Sequence, residues 1–257
     1  MINLRFLGTG GLGTARSRKK LSKDYRRFPT LLINEKVLVD PSEDMYEFEA
    51  SFMLDGLTGD ANDVLITSSQ LDHLSVCCIE KMAHSRRIRV YGTRAVGQAL
   101  SEVGNLDFVL LTPLSPIKLG EITVLPLPAN LKTDFSDEVA LNFLFESESK
   151  TFFYGLDGAW IEPSAWQVLS HLRLDAVILD CAAGIGDYSG QCFNHNNLTM
   201  VRAIKTVFDK SGVTDSATKF ILSHLPTDKR VNMHDELCEA VKDTQIKIAY
   251  DGYFLGI

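Results

Sequence analysis

The chain has little that would tie it to a membrane, a secreted scaffold or a nucleic acid. No apolar run in its 257 residues is long enough to span a bilayer. Residues 1–8 lack a basic segment followed by an apolar one, which argues against export through a signal peptide. Cysteine is sparse, at five residues without metal-type spacing, and the neighbours Cys77 and Cys78 cannot form an ordinary disulfide. Thiols in that pattern are expected to stay reduced, which points to a cytoplasmic protein. Positive charge is also short: 33 acidic against 26 basic residues give a net charge of −7, which disfavours general nucleic-acid binding. No repeat recurs at a solenoid period and no linker stands out, so residues 1–257 read as a single domain. What remains is ordinary globular composition, 45% hydrophobic and 23% charged.

Apolar or alternating segments predict strands over 2–7, 30–33, 37–39, 64–67, 88–91, 122–127, 139–145, 152–155, 176–180, 220–223 and 246–249. Helical periodicity predicts helices over 73–84, 94–103, 163–171, 198–210 and 234–241. Strands come first without helices, then strands and helices alternate. That order suits two sheets sandwiched between helices.

Residues 8–13 read Gly-Thr-Gly-Gly-Leu-Gly directly after a strand, a formal GxGxxG match. A dinucleotide site needs a helix next, packed on the sheet. Residues 14–28 instead carry seven basic side chains and almost no apolar stripe, and Asp40 falls late for a ribose-binding acid. The competing reading is a tight turn that requires positive φ. The basic run Arg16, Arg18, Lys19, Lys20, Lys23, Arg26 and Arg27 is either a solvated loop or, near a site mouth, an attractor for a phosphate ester.

The most informative stretch is Val64-Leu65-Ile66-Thr67-Ser68-Ser69-Gln70-Leu71-Asp72-His73-Leu74. It reads as a buried strand running into a loop that ends in Asp72 and His73. It resembles the metal-binding loop of the metallo-β-lactamase superfamily, HxHxDH after an apolar strand. Further segments resemble, in order, the branch of that superfamily with the PhnP-type phosphodiesterases and the tRNA 3′-processing endonucleases. These are Leu38-Val39-Asp40-Pro41, Phe153-Tyr154-Gly155-Leu156-Asp157-Gly158, Ala176-Val177-Ile178-Leu179-Asp180, Ile221-Leu222-Ser223-His224 and Ala249-Tyr250-Asp251-Gly252. The opening Phe6-Leu7-Gly8-Thr9-Gly10-Gly11 is similar to that branch as well.

The resemblance implies a four-layer αββα metallo-β-lactamase-type sandwich. It also implies two metal sites, of which one is lost. The two histidines of HxH are replaced by Ser68 and Gln70, and the third ligand position, in the loop at residues 126–131, falls on Leu131 with Asn130 as the neighbouring choice. The second site keeps Asp72, His73, Asp157 and His224. Two imidazoles and two carboxylates suit one divalent ion: zinc first, manganese or iron as alternatives. His195 matches the branch's extra active-site histidine and would protonate a leaving group. Asp72 and Asp157 would hold the metal and orient water.

Each residue also has a structural reading. Asp72 is a favoured N-cap for the next helix, Asp157 precedes a glycine in a turn pair, His224 ends a strand, and His195 sits in a loop. Two functions follow from these readings. One is a single-metal hydrolase of a small ester, a phosphodiester above all. The other is an inactive binding protein that keeps the fold, with no metal. The partner expected is a small molecule. Nucleic acid is disfavoured, no membrane is implied, and a homodimer is left open.

Overall fold

The computed structural model describes residues 1–11, 19–135, 137–186, 193–227 and 233–257. Strands in these residues form two seven-stranded sheets. The first has the spatial order β14 (Phe254–Gly256), β1 (Asn3–Gly8), β2 (Thr30–Ile33), β3 (Val37–Val39), β4 (Asp63–Leu65), β5 (Ile88–Gly92) and β6 (Leu106–Leu110). The second runs β13 (Ile246–Ile248), β12 (Lys219–Ser223), β11 (Ala176–Asp180), β10 (Thr151–Gly155), β9 (Leu141–Glu146), β8 (Ile122–Pro128) and β7 (Ile117–Leu119). β3 to β6 are parallel to one another, and so are β10 to β13.

The side-chain pattern explains the layering. Along β11, Ala176 and Ile178 enter the core between the sheets, while Val177 and Leu179 pack under helices on the other face. A parallel strand covered on both faces is an unbroken apolar run, as here. Leu4, Phe6, Phe145 and Phe152 share the inter-sheet core. Helices α1 (Asp44–Phe52), α2 (Val76–Ser85) and α3 (Arg94–Ala99) cover the first sheet through Met45, Phe48, Ile79, Met82 and Val96. Helices α4 (Pro163–Leu169), α5 (Leu198–Lys210) and α6 (His234–Ala240) cover the second through Leu169, Val201, Ile204, Phe208 and Leu237. The result is the four-layer αββα sandwich. α5 shows the local logic: Leu198, Val201, Ile204 and Phe208 form one buried stripe, and the Asn197 side chain accepts from Met200 N at 2.9 Å to cap the first turn.

Several boundaries differ from expectation. The helix expected over 73–84 starts at Val76, because Ser75 takes the cap and accepts from Cys78 N at 3.2 Å. Asp72 is therefore no N-cap. The amides of His73 and Leu74 turn back onto Gln70 O at 3.0 and 2.8 Å. The strand expected to reach Thr67 stops at Leu65, since Thr67 N donates to the Asp40 carboxylate at 2.8 Å. The helix α1 and the strands β6, β7 and β14 were not anticipated. No helix among the described residues is long and apolar enough to cross a membrane.

Candidate metal centre

Parallel strands gather their carboxyl ends along one edge of each sheet, where α/β folds place ligands. The loop after β4 carries Asp72 and His73, the loop after β10 carries Asp157, and His224 directly follows β12. These four side chains converge. His73 Nε2 lies 3.2 Å from His224 Nε2, 3.3 Å from Asp157 Oδ2 and 3.7 Å from Asp72 Oδ2. His224 Nε2 lies 3.5 Å from Asp72 Oδ2. His73, Asp157 and His224 are buried; Asp72 is partly open to solvent.

Two carboxylates aim the imidazoles. Asp40, at the end of β3, meets His73 Nδ1 with Oδ2 at 2.8 Å and also accepts from Thr67 Oγ1 at 2.7 Å. Asp180, at the end of β11, faces His224 Nδ1 at 3.4 Å and His195 Nδ1 at 3.1 Å. With each Nδ1 engaged, both Nε2 atoms turn to a common point. This carboxylate–imidazole arrangement orients metal ligands in general. The sequence offered one signal for these anchors: each aspartate ends a buried strand.

The charges are strongly coupled. Burial by itself would lower His73, but Asp157, Asp72 and Asp40 raise it to about 9. His224 is likewise driven well above the ordinary imidazole range against burial, by Asp180 and Asp72. Burial raises Asp157 despite three neighbouring histidines. Asp72 is held low in spite of burial by His73 and His224. Carboxylates thus gather near the point where the two Nε2 atoms meet, and among the described residues protons on the imidazoles offset them.

A divalent ion fits this donor set. Asp157 Oδ2 is buried and makes no hydrogen bond, since its contact with His73 lacks the geometry. Orphaned buried carboxylate oxygens are costly unless an ion satisfies them. Donors about 2.0–2.2 Å from a tetrahedral zinc sit roughly 3.3–3.6 Å apart; the separations of His73 Nε2 from the other three donors, and of His224 Nε2 from Asp72 Oδ2, run from 3.2 to 3.7 Å. Asp40→Asn tests the aiming. It keeps an acceptor for Thr67 but removes the charge behind His73, and zinc affinity is expected to fall about 10–100-fold in a chelator competition.

The other ligand positions hold no such set. Among the described residues, the ligand clusters are Asp72–His73–His224 and Asp157–His195–His224, and both belong to the centre above. Ser68 is fully buried, Gln70 Nε2 donates to Lys132 O at 3.4 Å, and Leu131 is half-buried beside it. Asn130 is engaged elsewhere: its Nδ2 donates to Ala159 O at 2.9 Å and its carbonyl accepts from Ala159 N at 3.2 Å, pinning the Asp157 loop. Glu138 ties down the degenerate loop, accepting from Ser69 N at 3.0 Å, Ser69 Oγ at 2.6 Å and Thr93 Oγ1 at 2.5 Å. Nothing in the sequence pattern singled out Glu138.

His195 is no surface-loop residue: it is 5% exposed, and its Nδ1 lies 3.6 Å from Asp157 Oδ1 as well as near Asp180. Its neighbour Asn196 clips the loops together, accepting from Trp160 N at 2.8 Å and donating to Gly158 O at 3.0 Å. Of the basic run, Arg16 and Arg18 lie outside the described residues. Arg26 and Arg27 are buried and serve the fold, Arg26 bonding the Pro226 carbonyl and Arg27 pairing with Asp251 at 3.0 Å. The glycine turn also differs from expectation. Gly8 and Gly11 do not hold positive φ; they are needed because a Cβ would strike Phe28 O and His224 respectively.

Fold and centre together define a class. Residues 35–240 match the family described as beta-lactamase superfamily domain, and the chain belongs to that superfamily. Among named relatives, ribonuclease Z of Methanopyrus kandleri is 30% identical over 133 residues, 48% of this chain. That stretch covers only 44% of the relative's length. The zinc-bound PqqB structure from Methylobacterium extorquens superposes with a TM-score of 0.76 at 14% identity, covering 99% of this chain and 100% of that one. A diphosphatase of the PhnP family gives 0.71 at 16% identity, covering 99% and 96%. At those identities the two structures speak for the fold alone.

Proposed function

We propose that this protein is a hydrolase of a small phosphodiester, PhnP-like in kind, that uses one divalent metal, zinc first, in the retained site. Asp72, His73, Asp157 and His224 would hold the ion. Such an ion acidifies water and polarises an ester oxygen. Asp72, the most exposed of the four, would orient incoming water. His195 has its Nδ1 tied to Asp180, which leaves the other ring nitrogen to give a proton to the departing alkoxide. The observation that carries the reading is the approach of the His73 and His224 Nε2 atoms to each other and to Asp72, with the unsatisfied buried Asp157 Oδ2 3.3 Å from His73 Nε2.

Elemental analysis after loading with zinc and dialysis tests it. One ion per chain is expected, because Ser68, Gln70 and Leu131 offer no second ligand set. Two tightly held ions would overturn the single-metal assignment. No retained ion, together with no turnover on bis-nitrophenyl phosphate, would leave an inactive binding protein on the same fold. Restoring the other site probes the alignment: Ser68→His, Gln70→His and Leu131→His together are expected to raise zinc stoichiometry from one to two. Binding of the second ion should be weak unless each new imidazole gains a partner for its other ring nitrogen. A folded triple variant that still takes one ion would show that the lost site lies elsewhere.

A further inference from the structure

We infer that the glycine turn closing β1 is a positioning device for His224, with Gly11 as its key residue: the missing side chain is the space the imidazole needs. The consequence for metal binding rests on the proposed site; the geometry does not.

His224 adopts φ 52°, a left-handed conformation unusual for a bulky residue, which the surroundings must hold in place. The turn does so from both sides of the next residue. Leu225 N donates to Thr9 O at 2.7 Å, and Gly11 N donates to Leu225 O at 2.8 Å. Gly10 and Leu225 form an isolated parallel bridge, so the first sheet reaches across to the end of the second. The turn is itself anchored from behind. Gly10 N donates to Arg27 O at 2.8 Å, and Thr9 Oγ1 donates to Asp251 Oδ1 at 2.8 Å.

The close approach is specific to one ring. A Cβ on Gly11 would sit 2.6 Å from His224 Nδ1, 2.8 Å from Cγ and 2.9 Å from the carbonyl oxygen. Backbone strain does not exclude alanine, because Gly11 is outside the left-handed region. Only space does. The atom in the way, Nδ1, is the one that faces Asp180 at 3.4 Å. Pushing it aside breaks that anchor and swings Nε2 away from His73 and Asp72. The segment that formally matched a dinucleotide fingerprint therefore has a different task, to seat a ligand 213 positions later in the chain.

The test uses Gly11→Ala on the full chain, with Gly104→Ala as control. An added Cβ at Gly104 meets nothing within 4 Å. In zinc competition against a chelator, Gly11→Ala is expected to weaken binding about 10–100-fold and Gly104→Ala to leave it unchanged. Thermal unfolding of metal-free protein supplies a second readout. Gly11→Ala should lower Tm by about 2–12 °C, the shift expected for an overpacked site in a chain of this size. In a His224→Ala background that loss should shrink to roughly half or less, because the ring is gone and only the carbonyl contact persists. Equal losses in both backgrounds would overturn the inference, as would a Gly11→Ala protein that binds zinc like wild type. If the wild type holds no zinc, the metal reading fails, and the thermal comparison still decides whether Gly11 seats the ring.

Discussion

Asp251→Ala is expected to lower the free energy of unfolding by about 3–5 kcal/mol, the cost of stranding one member of a buried ion pair. Arg27 is wholly buried, stacked over Tyr25 and near Phe48, with Nη1 3.0 Å from Asp251 Oδ2. Asp251 also accepts from Arg27 N at 2.9 Å and from Thr9 Oγ1 at 2.8 Å. Alanine removes all three acceptor contacts and leaves the buried guanidinium to Glu47 Oε1 and Ser51 Oγ, each 3.3 Å from Nη2. Urea unfolding measures the loss. The double variant Arg27→Met/Asp251→Ala should be less destabilised than Asp251→Ala alone, because the stranded charge goes with the arginine. A double variant weaker than the single one would refute this account.

The same carboxyl gives a pH signature. Burial pushes Asp251 up to about 6, although Arg27 opposes the shift. The ordinary carboxylate value is about 3.9. Between those values the folded chain holds a proton that the unfolded chain has released, so stability falls as pH rises through the window. Below about 4 both states are protonated and the contribution is complete. Relative to an Asp251→Asn variant, which cannot titrate there, wild type should lose stability as pH rises from about 4 to about 7. Parallel pH profiles for the two proteins would contradict the assignment.

Arg27 and Asp251 also mark what sequence reading can reach. Both were in view, one in a basic run and one in a terminal strand segment, yet neither pattern shows that they meet across 224 positions. Local signals were legible where burial acts on a whole element. The apolar runs of β2, β3 and β11 and the single stripe of α5 were placed with the boundaries the structure has. Elements that depend on a distant partner were not. β14 is three residues long and exists by pairing with β1, while α1 carries Tyr46, Phe48 and Phe52, residues as suited to a strand.

The centre divides in the same way. Asp72, His73, Asp157 and His224 are named through resemblance to the superfamily's motifs; the structure groups Asp72 and His73 with His224, and Asp157 with His195 and His224. Of the groups that aim and brace them, Asp40 and Asp180 end segments that resemble the superfamily without any aiming role being legible there, and Asn130, Asn196 and Glu138 act as tertiary neighbours that no sequence pattern assigns. The segment at residues 8–13 reads as a turn requiring positive φ; Gly8 and Gly11 are instead required by close packing, and Gly13 lies outside the described residues. A glycine required by a ring packed against it has the same appearance in sequence as one required by φ.

The largest effect on chemistry is expected from Asp157→Ala, which should remove both the ion and phosphodiester turnover. Asp157 Oδ2 is the unsatisfied oxygen at the meeting point, and Oδ1 lies 3.6 Å from His195 Nδ1. On the proposed reading its loss takes a ligand and a neighbour of the proton donor at once. His195→Ala should separate the two roles. The ligands remain, so zinc stays bound, while turnover slows by about 10²–10⁴-fold, the range for a lost general acid. The deficit should grow with the pKa of the leaving group: small for nitrophenyl esters, which depart without protonation, and large for alkyl esters. Two measurements on each variant decide the matter, zinc content by elemental analysis and rates across a leaving-group series. A His195→Ala protein whose rates fall equally for every leaving group would remove His195 from the proton-transfer step. An Asp157→Ala protein that keeps its zinc would place the ion elsewhere.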